Sequence, residues 1–256
     1  MFNKTLLRCL SLFLLFLVFS CNEIKSSSDV LNSGVVITFD DDFTNEWSQV
    51  HIYLRDYNWK ATFFVSDYEA LDSSQVHQLL ELQRYGHEIG AHGLNHLNAP
   101  ETINQIGTQE YLDIEILPQL DLMQSDNFTI NTFAYPYGAR NQASDSLLLE
   151  HFKLVRGTTY GDTLPSKHNC FYANNKLVYG LGIDSSYPHF SLDYLSLLLD
   201  FAKENNKFII LYAHRPVKEV NDDYETDYLT LQFIAEYIKS NNMQFLTFSE
   251  LDNLSN

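Results

Sequence analysis

The chain has 256 residues, 45% of them hydrophobic and 14% aromatic, with 16 basic and 33 acidic side chains and a formal net charge of −17. A surface this acidic repels nucleic acid and other polyanions over a Debye length, which excludes them as partners and favours a neutral or cationic polymer. Of the three cysteines, Cys9 and Cys21 fall in and just after an apolar leader; Cys170 is then left alone, no internal disulfide can form, and stability must come from one large core.

The first element is a targeting segment. Lys4 and Arg8 form a basic n-region, and residues 10–19 are an almost unbroken apolar run, short for a membrane span but matched to a signal h-region. The run ends in Val18-Phe19-Ser20-Cys21, which resembles the bacterial lipoprotein signal. That resemblance implies removal of residues 1–20, lipidation of Cys21 and an exported, membrane-anchored protein, periplasmic or at the cell surface. Loss of Lys4 and Arg8 leaves 14 basic against 33 acidic side chains, a net charge of −19. Residues 21–33, polar and serine-rich, read as a flexible tether. A single domain is expected over 34–254, with a monomer assumed.

Beyond the tether, β-branched and aromatic runs recur at 35–39, 61–65, 88–92, 132–135, 153–156, 177–183, 208–214 and 244–248. Helical periodicity fills 46–57, 74–85, 108–124, 144–152, 192–205 and 226–241. Alternation of this kind predicts an α/β fold with a parallel sheet, and about eight strands favour a closed barrel, with an open doubly wound sheet as the alternative on pattern alone. No glycine-rich dinucleotide fingerprint or phosphate loop follows the first strand. In either architecture the carboxyl ends of the strands form the ligand face.

Those ends carry one kind of chemistry. The first strand runs into Asp40-Asp41-Asp42, where crowded carboxylates raise one another's pKa unless a cation offsets the repulsion. The third runs into "GAHGLNH", with His92 and His96, and the seventh ends at His214. Two histidines four apart lie on one face of a helical turn and can bind one metal, with an aspartate from another strand as third ligand; three protein ligands with a position left open is the catalytic pattern for zinc. Each feature alone has a plainer explanation: Asp42 or Thr44 could cap the helix beginning near Glu46, and His214 could be a hydrogen-bonded structural residue. Their joint occurrence at successive strand ends favours the metal.

The motifs "TFDD" (38–41), "HGLNH" (92–96), "FAYPYG" (133–138) and "LYAH" (211–214) resemble, in order and spacing, those of the polysaccharide deacetylases, the NodB-homology or carbohydrate esterase family 4 proteins. The resemblance covers residues 34–252. It implies a distorted (β/α) barrel of about seven strands in a single domain, so that one of the eight runs lies outside the barrel. It also implies a hydrolase of carbon–nitrogen bonds that removes acetyl groups from N-acetylated, or O-acetylated, sugars of a polysaccharide and releases acetate. Asp41, His92 and His96 would hold a divalent metal, zinc first, with cobalt or nickel as alternatives. Asp40 would be the general base, His214 the general acid, and Tyr137 the source of a backbone N–H for the oxyanion.

Three positions depart from the family pattern. Asp42 stands where glycine is usual, Gly93 where a Ser or Thr would steady the metal loop, and Ala134 where an arginine often orients the base. Arg156, at the end of the next strand, is the expected substitute, with Arg140 in reserve. Asp184, after the run 177–183, is the candidate partner for His214, with a self-bonded turn aspartate as the equal alternative. Among the aromatics that could form sugar-stacking walls (Trp47, Tyr135, Tyr137, Tyr160, Tyr187 and Tyr212), Tyr137 and Tyr187 are the preferred two. If Ala134 left Asp40 unheld, the same fold would serve as a non-catalytic carbohydrate-binding lipoprotein. For the anchor, Cys21→Ala is expected to move the protein from the membrane fraction into the soluble fraction on ultracentrifugation, since the tether offers no second attachment.

Overall fold

The computed structural model describes residues 33–255; the expected leader, the lipidated Cys21 and the tether up to residue 32 lie outside the described residues. Seven parallel strands close a barrel: β1 (Gly34–Asp41), β2 (Thr62–Val65), β3 (Glu88–Ala91), β4 (Thr132–Ala134), β5 (Leu154–Thr159), β6 (Leu177–Gly182) and β7 (Phe208–Ala213). Closure is the pairing of β1 with β7, in register from Gly34↔Phe208 to Phe39↔Ala213. β2 pairs with β1 only from Thr38↔Thr62 upward, and a two-residue strand opposite Gly34 and Val35 takes the edge below it. This is where the eighth run, 244–248, goes. Only Gln244 and Phe245 extend, because Thr62 then accepts the Phe248 N–H at 2.8 Å and turns the chain beneath the barrel.

Strand alternation decides what lies inside. Val36, Phe64, Ala134, Leu154, Val178, Phe208, Ile210 and Phe248 form the interior apolar cluster, while Ile37, Phe39, Phe63, Leu211 and their neighbours face the surrounding helices. Asp40 comes four residues beyond Val36, and Arg156 and Tyr212 two beyond Leu154 and Ile210, so the same parity carries polar groups into the upper barrel. The lower end is closed by Glu88, whose carboxylate accepts from Thr132, Thr62 and the Ser249 N–H at 2.6, 3.0 and 2.8 Å.

The helices are α1 (Thr44–Leu54), α2 (Ser73–Arg84), α3 (Ala99–Ile106), α4 (Thr108–Tyr111), α5 (Leu117–Ser125), α6 (Gln142–His151), α7 (Leu192–Glu204) and α8 (Tyr228–Ser240). Neither Asp42 nor Thr44 caps α1 through its side chain. Helix α3 escapes the periodicity search, although Asn98 caps it at the Glu101 N–H and Pro100 sits in its first turn. The single helix expected over 108–124 is instead α4 and α5 joined by a π-turn, Leu112–Ile116. Pro118 is the reason: it lacks an N–H and its ring excludes the carbonyl four residues back, that of Ile114. Two short strands, β8 (Arg215–Val217) and β9 (Glu225–Asp227), pair as an arm after β7 that the sequence reading did not contain. None of the described helices is long and apolar enough to cross a membrane.

Candidate active site

At the carboxyl ends of the strands lies a cleft of about 450 Å³ lined by Asp40, Asp41, His92, His96, His214 and a set of tyrosines. Asp41 ends β1 with φ of 84°, the left-handed region that non-glycine residues rarely enter. Alternation would send neighbouring acids to opposite faces; the reversed φ at the strand end lets Asp41 line the same cleft as Asp40. Its Oδ1 stands 3.7 Å from His92 Nε2 and 3.5 Å from His96 Nε2. Those separations are long for hydrogen bonds. They suit atoms that share a cation, since two ligands each about 2.1 Å from a tetrahedral ion stand roughly 3.4 Å apart. The three ligand atoms all lie within 4.8 Å of one another, and no other such group occurs among the described residues.

Both imidazoles are suited to ligation. His92 Nδ1 lies 2.8 Å from the Ala134 carbonyl, to which it donates, so the Nε2 lone pair faces the cleft. Burial pushes its pKa down to about 3 and lowers that of His96 as well, keeping the rings neutral. Without a cation, Asp41 is pushed up to about 6 by burial and by the charges of Asp40, Asp42 and Asp184, with His214 opposing. An ion among the three would relieve this repulsion. Asp42 itself is exposed, at the rim. The expected helical turn between the histidines is absent: Gly93 and His96 have φ of 84° and 53°, and the segment is a loop.

Asp40 is buried inside the barrel, and its Oδ2 accepts a hydrogen bond from Nη2 of Arg156, itself wholly buried. Burial alone would raise the Asp40 pKa; the positive charge and hydrogen bond of Arg156, aided by His214, outweigh it and hold the carboxyl below its usual range. Asp40 Oδ1 has no protein partner among the described residues, leaving one oxygen for a substrate or water. Ala134 and Arg156 are directly paired in the β4–β5 register and both point inward, so the arginine reaches Asp40 from the same height, one strand over. Gly180 on β6 makes room, because a Cβ there would lie 3.2 Å from Arg156 Cδ and 3.3 Å from Tyr212 Cδ1. The guanidinium packs over Tyr212 and Phe64, with 4.9 and 5.6 Å to the ring centroids. Arg140 does not approach Asp40; it is engaged by Asp145 and by Tyr179.

Across the cleft, His214 Nδ1 meets Asp184 Oδ2 at 2.6 Å. The carboxylate of Asp184 also accepts from the His214 N–H at 3.2 Å and from Thr226 at 2.5 Å, so it serves the histidine and not its own turn. Burial works against protonation of His214, but the hydrogen bond and charge of Asp184, aided by Asp40 and Asp41, raise its pKa above the usual value.

Of the aromatic candidates, Trp47 is fully buried and donates from its indole to the His214 carbonyl at 3.0 Å, so it supports the backbone at His214 and is no wall. Tyr212 is buried against Arg156. Tyr137, with φ of 59°, is 66% exposed and packs edge-on to His96 at 4.5 Å; Tyr187 stacks on His189 at 5.4 Å. Tyr224 also lines the cleft, its ring 5.1 Å from that of His214, and had no signal in the sequence because the β8–β9 arm delivers it. Thr226 and Glu115 were missed for the same reason: their partners are distant in the chain.

A parallel barrel with these acids, imidazoles and buried ion pair at its carboxyl rim defines a class, the (β/α)-barrel hydrolases. Residues 28–151, which include Asp40 and all three of Asp41, His92 and His96, match the model of the polysaccharide deacetylase family, a family of hydrolases. No curated protein matches it in sequence. In fold it is similar to the Xyl-CE4 domain of a multidomain xylanase from the hindgut metagenome of Trinervitermes trinervoides, with a TM-score of 0.54 and 18% identity over 87% of this chain and 90% of that one. It is likewise similar to the peptidoglycan deacetylase PdaC from Bacillus subtilis (0.51, 18%, 87% and 91%). A family 4 acetyl xylan esterase from Clostridium thermocellum, solved with a cobalt ion, gives 0.53 at 19% identity, over 86% and 90%.

The buried pair makes a stability prediction. Arg156→Met leaves an unpaired carboxylate inside the barrel and is expected to cost about 3–5 kcal/mol in urea unfolding at neutral pH. Adding Asp40→Asn to that variant should recover part of the loss.

Proposed function

We propose that this protein is a metal-dependent hydrolase that removes acetyl groups from the N-acetylated sugars of a polysaccharide. The observation that carries this reading is a pair of opposed groups on one cleft: Asp40 held acidic by Arg156, and His214 held basic by Asp184. Titratable groups driven apart in this way are a base and an acid at neutral pH. Asp41, His92 and His96 would hold the divalent ion, zinc first and cobalt or nickel next, since such donors discriminate little among the three. When bound, that ion supplies a Lewis acid beside the acetyl oxygen and acidifies water.

The chain's own groups then divide the proton transfers. Asp40, ionised and fixed by Arg156, takes a proton from the water whose oxygen bonds to the acetyl carbon. His214, with Nδ1 committed to Asp184, gives its Nε2 proton to the sugar nitrogen as the carbon–nitrogen bond breaks. Acetate and a free amine leave. The Tyr137 backbone N–H is assigned to the charge that develops on the acetyl oxygen. An amide nitrogen departs poorly unless protonated, so a histidine held in its acid form favours N-acetyl over O-acetyl substrates. Tyr137, Tyr187 and Tyr224 offer ring faces to sugars.

The similar structures are named for peptidoglycan and for acetyl xylan, and a lipid anchor at Cys21 would set the cleft near envelope polysaccharide. The binding-only alternative rested on Ala134 leaving Asp40 unheld, and the Arg156 contact removes that motive. The direct test measures acetate released from chitin oligomers, peptidoglycan and acetyl xylan by chelated protein with zinc or cobalt restored. Release only with metal, and chiefly from the N-acetylated substrates, is expected. Asp40→Asn should lower kcat by about 10²–10⁴ while retaining the ion; His92→Ala should lose both.

The pH dependence follows from the shifts. His214 acts in its protonated form, so its contribution is complete well below its raised pKa and is lost as pH climbs through that value, above 6.5. Asp40, depressed, stays ionised throughout this window. Asp184→Asn is therefore expected to draw the alkaline limb of the kcat profile to lower pH. An unmoved limb would remove Asp184 from the acid's support.

A further inference from the structure

The loop that presents His96 has an unusual construction. With Gly93 and His96 both in left-handed conformations, no run of helical hydrogen bonds holds residues 92–97. The His92 N–H donates to the Val65 carbonyl, and those of Leu94, Asn95 and Leu97 are taken up by one residue of the π-turn. Leu94 N–H donates to the Glu115 carbonyl at 3.1 Å. The Asn95 N–H and side-chain amide both donate to Glu115 Oε2 at 3.0 Å, and the Leu97 N–H donates to Glu115 Oε1 at 2.8 Å. The carboxylate therefore grips the residues on either side of His96.

The rest of the turn is arranged around this grip. Pro118 cannot donate to the Ile114 carbonyl, and that carbonyl lies 3.4 Å from the Asn95 amide. Gln119, one turn beyond Glu115 on the same face, donates to the Val65 and Gly93 carbonyls at 2.7 and 3.3 Å. A Cβ at position 93 would stand 2.4 Å from Glu115 Oε1, so the carboxylate occupies the space that a side chain after His92 would need. Glu115 has no solvent exposure and touches none of the three candidate ligands by a hydrogen bond among the described residues. Its polar contacts are spent on the loop.

We propose that Glu115 is the positioning residue of the candidate metal centre, acting through the backbone that flanks His96, and that Gly93 is glycine so that this carboxylate can enter. The inference rests on the reading of Asp41, His92 and His96 as metal ligands. A ligand fixed in advance binds an ion without first having to be ordered, so loosening the loop weakens affinity even when no ligand is altered. Glu115→Gln keeps size and shape but turns one acceptor into an amide that faces an N–H donor.

The experiment titrates metal-free full-length protein with zinc in competition with a chromophoric chelator. Wild type is expected to bind one ion, Glu115→Gln to bind it about 10–100-fold more weakly, and Asn95→Ala, which removes one side-chain amide from an exposed residue and leaves the backbone bonds of the loop to Glu115, to lose less. Raising zinc should restore turnover in Glu115→Gln, which a general loss of folding would not allow. Circular dichroism of the metal-free variants separates folding from affinity; if Glu115→Gln does not fold, Asn95→Ala decides. Wild type that takes up no zinc overturns the metal reading and this inference together. Wild type that binds, with folded variants binding as tightly, overturns the inference alone.

Discussion

A buried carboxylate inside a parallel barrel is the constraint on which the remainder of the site depends. Asp40 can stay ionised there only if a cation of equal permanence faces it, because burial otherwise drives the group to its neutral acid. Arg156 is that cation, and the two are linked across 116 positions of sequence. The arginine imposes conditions of its own. It needs a residue without a side chain at Gly180, aromatic faces at Phe64 and Tyr212, and a small neighbour at Ala134 in the same layer. Four further strands, β2, β4, β6 and β7, are thus committed by one ion pair that already links β1 and β5, and the alanine that looks like a lost catalytic residue is one of the conditions.

The barrel divides its interior accordingly. Glu88 with its threonine and backbone donors seals the lower end, an apolar layer fills the middle, and the ion pair opens into the cleft at the top. The lower set of buried polar groups is saturated by the protein, whereas the upper set keeps unpartnered atoms beside the cleft. Asp40 Oδ1, buried and unpartnered, is the clearest of these.

Support for the cleft histidines comes from loops that the barrel brings together. His214 is held from three sides, by Asp184 at the end of β6, by Thr226 on the β8–β9 arm through that carboxylate, and by Trp47 of α1 at its carbonyl. The histidine loop is held by a turn that a proline has bent out of α-helical geometry. In both places the group nearest the chemistry is short-range in sequence, whereas the group that orients it is not.

That difference separates what the sequence determined by itself from what the tertiary structure decided. Alternating strand and helix periods specify a parallel α/β fold and favour a barrel over an open sheet, and acids and histidines at strand ends can be read directly, because period and position along a strand are local properties. Asp40, Asp41, His92, His96 and His214 were legible in this way, and Arg156 was reachable because it ends the strand run that follows the one holding Ala134. The eighth run, the π-turn and the β8–β9 arm were not: periodicity does not register where β2 begins to pair, what Pro118 does to the carbonyl of Ile114, or where fourteen residues after a strand will fold back. That the preferred Arg156 meets Asp40, and that Asp184 serves His214 and not its own turn, depended on the register of β4 on β5 and the approach of β6 to β7. Those are distances between segments far apart in the chain, set by packing, and no local pattern encodes them.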